Sequence, residues 1–94
     1  MLGEKLKKIR EEKGFLQKDV AKLLNIDITL ISKIENCDKL ISRNHLNKLA
    51  NFYNVEISEL TTLWLSDKIF ELIKNEEYGF KSLEYLYSNM KKTK

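Results

Sequence analysis

A chain of 94 residues with 43% hydrophobic and 33% charged residues has the composition of a globular protein with one modest core. The net charge of +3 at pH 7 is compatible with a nucleic-acid partner but does not establish one. A single cysteine excludes an intramolecular disulfide, and with only one histidine beside it the sequence offers no metal-ligand set or catalytic constellation. We therefore expect neither enzymatic activity nor a cofactor.

The start of the chain becomes charged almost at once, and no run of 18 apolar residues occurs in the sequence. We expect no secretory signal, no membrane span and no membrane partner. The lone thiol suits a reducing compartment, so the expected location is the cytoplasm. No separate ligand-binding segment is evident, and no small-molecule ligand is expected.

Apolar residues recur at helical spacing along the whole chain, and proline is absent. The spacing predicts six helices, over residues 2–13, 17–24, 28–36, 43–53, 57–74 and 80–90. An all-α fold follows from this pattern. The second and third predicted helices are short, amphipathic and separated by a tight turn, which is typical of a helix-turn-helix motif.

Local signals predict where several of these helices begin and end. Gly14 is suited to the position just after helix 1, and Asn25 to a left-handed turn after helix 2, because both tolerate positive φ. Asp27 and Ser42 are predicted to cap helices 3 and 4, since their side-chain oxygens can accept backbone N–H bonds. Asn54 is expected to end helix 4.

Five ordered segments carry a resemblance to a known family: LKKIR (6–10), GFLQ (14–17), VA (20–21), ISKIEN (31–36) and LNKLA (46–50). Together they resemble the Cro/cI-like helix-turn-helix family, also called the xenobiotic-response-element (XRE) family of transcriptional regulators. The resemblance implies a five-helix lambda-repressor-like DNA-binding domain, placed at residues 1–62, with a C-terminal helical extension at residues 63–94. It further implies a homodimer that binds a palindromic operator in double-stranded DNA and acts as a repressor.

The resemblance also implies roles for particular residues. The DNA base-reading positions of helix 3 would be Ile28, Thr29, Ser32 and Lys33. The DNA phosphate-binding positions would be Gln17, Asn36, Lys39 and Arg43. Arg10 and Glu35 would form an internal salt bridge. Lysine can donate to guanine, while threonine and isoleucine can contact a thymine methyl group, so the proposed reading positions are chemically suited to DNA bases.

The sequence departs from the family pattern at the DNA-facing end of the motif. Leu16 stands where the family commonly has a polar helix cap, and the loop after helix 3 lacks a common proline. Ile28 and Leu30 make the reading helix unusually apolar. An alternative therefore stays open, in which the same fold is a protein-interaction module, such as an antitoxin, that uses this apolar surface.

Many large apolar side chains follow residue 62, more than two short helices can bury alone. Either they pack onto the first domain or they form a subunit interface. We favour a dimer interface. The residues assigned to dimerisation are Trp64, Leu65, Ile69, Leu72, Ile73, Leu83, Leu86 and Tyr87.

Overall fold

The computed structural model of the protein describes residues 1–93. Over this range the chain forms six α-helices and no β-strand: α1 (Leu2–Glu12), α2 (Gln17–Leu24), α3 (Ile28–Glu35), α4 (Arg43–Tyr53), α5 (Ile57–Ile73) and α6 (Gly79–Thr93). The predicted all-α fold is confirmed. Every boundary lies within three residues of the predicted one, and the largest difference is at the end of α6.

The turns after α1, α2 and α4 are left-handed, as their sequences indicate. Gly14 has φ 80°, and Asn25 and Asn54 both have φ 55°. The Asn25 N–H donates to the Ala21 and Lys22 carbonyls, which would otherwise lack a partner at the end of α2. The angle between α2 and α3 is therefore determined by a turn of defined conformation.

The starts of α3 and α4 are capped by side chains. The Asp27 carboxylate accepts a hydrogen bond of 2.7 Å from the Thr29 N–H. The Ser42 hydroxyl accepts one of 3.2 Å from the His45 N–H. Each bond satisfies a backbone donor that the first turn of a helix leaves without a partner, and each cap typically stabilises its helix by about 1 kcal/mol.

The core lies between α1 and the first half of α5, with α2, α3 and α4 packed around it. Leu46 and Leu60 are completely buried, and Tyr53 is 1% exposed. The other buried hydrophobic residues are Leu2, Leu6, Ile9, Val20, Ala21, Leu24, Ile31, Ile34, Ile41, Leu49, Ala50 and Trp64. One continuous core thus joins all of the first five helices.

The start of α1 packs closely against the end of α3. A Cβ atom at Gly3 would overlap the Ile34 carbonyl oxygen and lie 2.9 Å from Cys37 Sγ. The Leu2 N–H donates a 2.9 Å hydrogen bond to the Asp67 carboxylate of α5. A residue distant in sequence therefore caps α1, and the second half of α5 is held against the first helix.

α5 continues without a break through residues 62–63, the predicted boundary between the DNA-binding domain and the extension. That boundary stays a prediction. At the other end of α5 the chain turns sharply into α6. Gly79 is buried there, and a Cβ atom on it would overlap the Ile73 carbonyl oxygen.

α6 leaves this corner with most of its surface exposed, including Phe80, Leu86, Tyr87 and Met90. Spacing of three and four residues places these four side chains with Leu83 on one side of the helix. None of the helices formed by residues 1–93 has the length and apolar character needed to cross a membrane.

Candidate nucleic-acid interface

α3 presents one face to the core and the other to solvent. Ile31 and Ile34 are buried, while Thr29 and Lys33 are exposed and Ile28 is 47% exposed. Ser32, the fourth predicted base-reading residue, is partly buried. Because the apolar face is packed into the core, the outward side chains are carried on a rigid helix, as direct readout of DNA requires.

The first turn of α3 is organised by the capping bond between Asp27 and Thr29. The Thr29 backbone N–H, with a smaller contribution from its side chain, lowers the pKa of the Asp27 carboxyl group. The cap is therefore ionised at neutral pH. Its negative charge lies at the positive end of the α3 dipole, where it stabilises the helix.

The predicted phosphate-binding residues after α3 lie on the surface. Asn36, Lys39 and Arg43 are all exposed, and Arg43 is the first residue of α4. The Arg43 guanidinium carbon lies 5.2 Å from the centroid of the Trp64 ring, within the range of a cation–π contact. This contact restricts where the charge at the start of α4 can point.

Trp64 organises this corner of the molecule in two further ways. Its indole N–H donates a 2.8 Å hydrogen bond to the Ile41 carbonyl oxygen, which fixes the loop before α4. The Lys68 ammonium lies 4.5 Å from the ring centroid. Two cations, Arg43 and Lys68, are thus gathered around one buried indole, and Lys68 was missed in the sequence analysis. The four-residue spacing between Trp64 and Lys68 within one helix was the available signal.

Gln17 occupies the first position of α2 and is partly buried. Its side-chain amide donates a 3.0 Å hydrogen bond to Glu35 Oε1. From the sequence, Gln17 was predicted to bind phosphate, and this internal bond was not predicted. One of the two N–H donors of the side-chain nitrogen is engaged, which leaves the second donor and the backbone N–H groups of the first turn to face other partners.

Arg10 of α1 and Glu35 of α3 form a buried two-point ion pair. Arg10 Nε lies 2.7 Å from Glu35 Oε2, and Arg10 Nη2 lies 3.0 Å from Glu35 Oε1. A third bond of 2.8 Å runs from Arg10 Nη1 to the Phe15 carbonyl oxygen. The hydrogen bonds to Glu35 raise the pKa of Arg10 above its ordinary value. The pair therefore connects α1 with α3, and the bond to Phe15 also connects α1 with the turn that precedes α2.

Leu16 precedes α2 at its cap position and is 57% exposed. Its leucine side chain cannot accept a hydrogen bond. Its backbone N–H, however, donates a hydrogen bond of 2.8 Å to the Asp19 carboxylate. Half of a capping box is therefore present, supplied by the residue three positions into the helix. The start of α2 is better stabilised than the missing polar cap suggested.

Trp64, which was assigned to a dimer interface from the sequence, leaves little of its surface exposed. Trp64 is 9% exposed and belongs to the intramolecular core, because its indole packs under the loop before α4 and bonds to it. The other proposed dimerisation residues lie in the second half of α5 and in α6. Leu65, Ile69, Leu72, Leu86 and Tyr87 are exposed, and Ile73 and Leu83 are partly buried.

A family model described as a helix-turn-helix domain matches residues 3–64, which is about two thirds of the chain. The chain belongs to this helix-turn-helix family. The match is consistent with the XRE-like regulators that the sequence resembles, and it covers α1 to α4 and the first half of α5. The chain has no significant match to a curated protein or to a solved structure. Helix-turn-helix domains are typically DNA-binding and non-enzymatic.

Proposed function

We propose that this helix-turn-helix protein is a transcriptional repressor that binds a palindromic operator as a homodimer, with α3 in the major groove. The observation that carries this proposal is the two-sided character of α3. Ile31 and Ile34 anchor the helix in the core, and Ile28, Thr29 and Lys33 project from it into solvent. A helix presented in this way can enter the major groove without rearrangement of the domain.

The exposed side chains of α3 define the bases that we expect it to prefer. Lys33 can donate to guanine O6 or N7, and Ile28 can pack on a thymine methyl group. Thr29 can contact either a base edge or a thymine methyl. Because arginine and glutamine are absent from these positions, we expect a thymine-rich half-site with one strongly preferred guanine.

Phosphate contacts would hold α3 in place. Lys39 in the loop before α4 and Arg43 at the start of α4 supply positive charge, and Asn36 supplies a neutral donor at the end of α3. At the start of α2, backbone N–H groups beside Gln17 would face a phosphate with the favourable end of the helix dipole. These contacts set register and affinity, and they carry no sequence information.

The palindromic operator follows from the proposed dimer. Two copies of α3 about 34 Å apart would meet successive major grooves on one side of the duplex. The exposed apolar residues of the second half of α5 and of α6 supply a surface for association. The repressor would then act by occupying its site.

A selection from random double-stranded DNA tests the proposal, using the wild type, Lys33→Ala and Lys81→Ala. Lys81 lies on α6, away from α3, so its substitution removes the same charge and serves as the control. We expect a palindromic motif with half-sites about 10 base pairs apart from the wild type and from Lys81→Ala. Lys33→Ala should lose the preferred guanine. Recovery of unselected sequences by the wild type would contradict the proposal.

One observation favours a second candidate, a protein-interaction module. Leu16 is 57% exposed and Ile28 is 47% exposed, so the motif presents large apolar side chains where DNA would lie. In this interpretation, a protein partner covers these residues. If the protein is an interaction module, substitution of Lys33 and Arg43 by alanine would leave that partner bound. If it is a DNA-binding repressor, the same substitutions would abolish DNA retention.

A further inference from the structure

An open apolar groove lies between the start of α1, the loop after α3 and the second half of α5. It has a volume of about 910 Å³ and is mainly apolar. Its apolar lining includes Leu2, Ile34, Leu40, Ile41, Phe70 and Leu72. Phe70 is 55% exposed and Leu72 is 77% exposed, so the wall formed by α5 presents large side chains to solvent.

We propose that the groove of each chain receives α6 of a second copy, so that two chains exchange their last helices. This proposal rests on the homodimer of the proposed function and identifies the surfaces that form it. The occupant has to be apolar, helical and available. α6 meets these conditions, because Phe80, Leu86, Tyr87 and Met90 are each more than half exposed on one side of a 15-residue helix.

The chain's own α6 does not line the groove. The groove is lined by the second half of α5 and by Lys74, which follows it, and α6 begins at Gly79. Gly79 packs directly on the Ile73 carbonyl, which fixes the direction in which α6 leaves α5. The lining residues come from α1, α3, the following loop and α5, so the chain's own α6 lies outside.

The area supports a reciprocal exchange over a simple contact between two α6 helices. The exposed apolar side chains of one α6 would bury about 500 Å², counting aromatic residues at 150–250 Å² when fully covered. With a similar area on the groove and two equivalent contacts, the total reaches about 2,000 Å², the upper end of a standard stable interface. One α6–α6 contact would bury about half as much.

Symmetry also favours a second copy over an unrelated protein. Each chain carries both an open groove and an unpaired helix face, and a two-fold axis closes both pairs at once. The groove borders the loop of residues 37–41, which leads directly into Arg43 and the start of α4. The exchange would therefore bring the partner's α6 beside the segment that we expect to contact DNA phosphates.

The sole cysteine lies on the groove and gives a direct test by disulfide formation between two different chains. One chain is the wild type with Cys37. The other carries Cys37→Ser together with Leu83→Cys, Leu86→Cys or Met90→Cys, three positions along the apolar side of α6. The matched control carries Cys37→Ser and Ser88→Cys, which lies on the opposite side of α6.

After mixing and oxidation, we expect a mixed disulfide between Cys37 and at least one of the three α6 positions, well above the Ser88→Cys control. A disulfide requires Cα atoms within about 7 Å, so the product would locate α6 in the partner's groove. Cross-links formed only between two α6 positions, or no cross-link above the control, would overturn the exchange.

Sedimentation of two exposed-site variants gives an independent measurement. Leu72→Glu places a charge in the groove. Tyr85→Glu places a charge on the side of α6 opposite its apolar side. The two residues are similarly exposed, at 77% and 74%. We expect the first to weaken dimerisation at least tenfold and the second to leave it unchanged. Equal effects would overturn the proposal. A palindromic DNA motif recovered alongside failed cross-links would reject the exchange and retain the proposed function.

Discussion

Arg10 and Glu35 come from different helices and meet through two hydrogen bonds of 2.7 and 3.0 Å, with their side chains 9% and 5% exposed. Gln17 donates to the same carboxylate from a third helix. Glu35 therefore links α1, α2 and α3 at one buried point. The orientation of α3 relative to the rest of the domain depends on this carboxylate.

We predict that removal of either charge destabilises the protein more than removal of both. Arg10→Met or Glu35→Leu leaves its former partner as an isolated buried charge, at a cost of about 3–5 kcal/mol in the free energy of unfolding. The double variant should recover much of that loss. Urea unfolding of the three variants measures it. Lys5→Met, which breaks an exposed pair with Glu59, is the control and should cost under about 1 kcal/mol.

We predict that ionisation of Tyr53 lowers the stability of the protein in alkaline solution. Its burial, with a smaller effect of Glu35, raises the pKa of Tyr53 to about 12 from an ordinary value of 10. The folded protein therefore keeps the phenol protonated where the unfolded chain does not. The associated stability is complete below pH 10 and is lost as the pH rises towards 12.

The expected loss for Tyr53 is about 2 kcal/mol in the free energy of unfolding between pH 10 and pH 12. Tyr53→Phe keeps the buried ring and removes the titration, so its stability should fall less over this interval. Denaturant unfolding at several pH values compares the two proteins, and ionisation of lysines cancels between them. If the free energies of unfolding of the two proteins fall in parallel between pH 10 and pH 12, the raised pKa of Tyr53 is contradicted.

Cys37 adopts a left-handed conformation with φ 64°, which strains a residue that carries a Cβ atom. Cys37→Gly removes that strain, and Cys37→Ala keeps it. We expect the glycine variant to be more stable than the alanine variant by about 1 kcal/mol, as a difference in free energy of unfolding. If alanine is equal or better, the strain is not the controlling factor at this turn.

The positions of Lys33 and Arg43 predict different DNA-binding defects. Arg43→Ala should lower affinity similarly for all sequences and reduce the slope of log affinity against log salt by about 0.9, the value for one phosphate contact. Lys33→Ala should relax the preference at one base pair. Titrations at several salt concentrations, with preferred and substituted duplexes, separate the two effects. An unchanged slope for Arg43→Ala would place its charge away from DNA.

The helices could be predicted from sequence because their limits depend on local chemistry. Asn25, Asp27, Ser42 and Asn54 each act on backbone groups within a few residues, so their effect can be deduced without the fold. The continuous α5 was predicted for the same reason, since its sequence contains no breaking signal between Ile57 and Ile73.

The interactions that could not be predicted join residues distant in sequence. The hydrogen bond from Leu2 to Asp67 and the bond from Gln17 to Glu35 depend on how the helices cross. The burial of Trp64 in the core could not be predicted, because an aromatic residue at helical spacing gives the same pattern whether it faces the core or a partner. One local feature was also not predicted: the left-handed turn at Cys37, where neither glycine nor asparagine stands to indicate it.

Trp64 is the only tryptophan, so the protein's indole fluorescence comes from one place. That indole donates to the Ile41 carbonyl and lies beside the Arg43 guanidinium. Unfolding of the core would expose the ring to water, and a change in the position of Arg43 would alter the charge beside it. The wavelength and intensity of its emission can therefore follow both folding and occupancy of the neighbouring surface, without an added label.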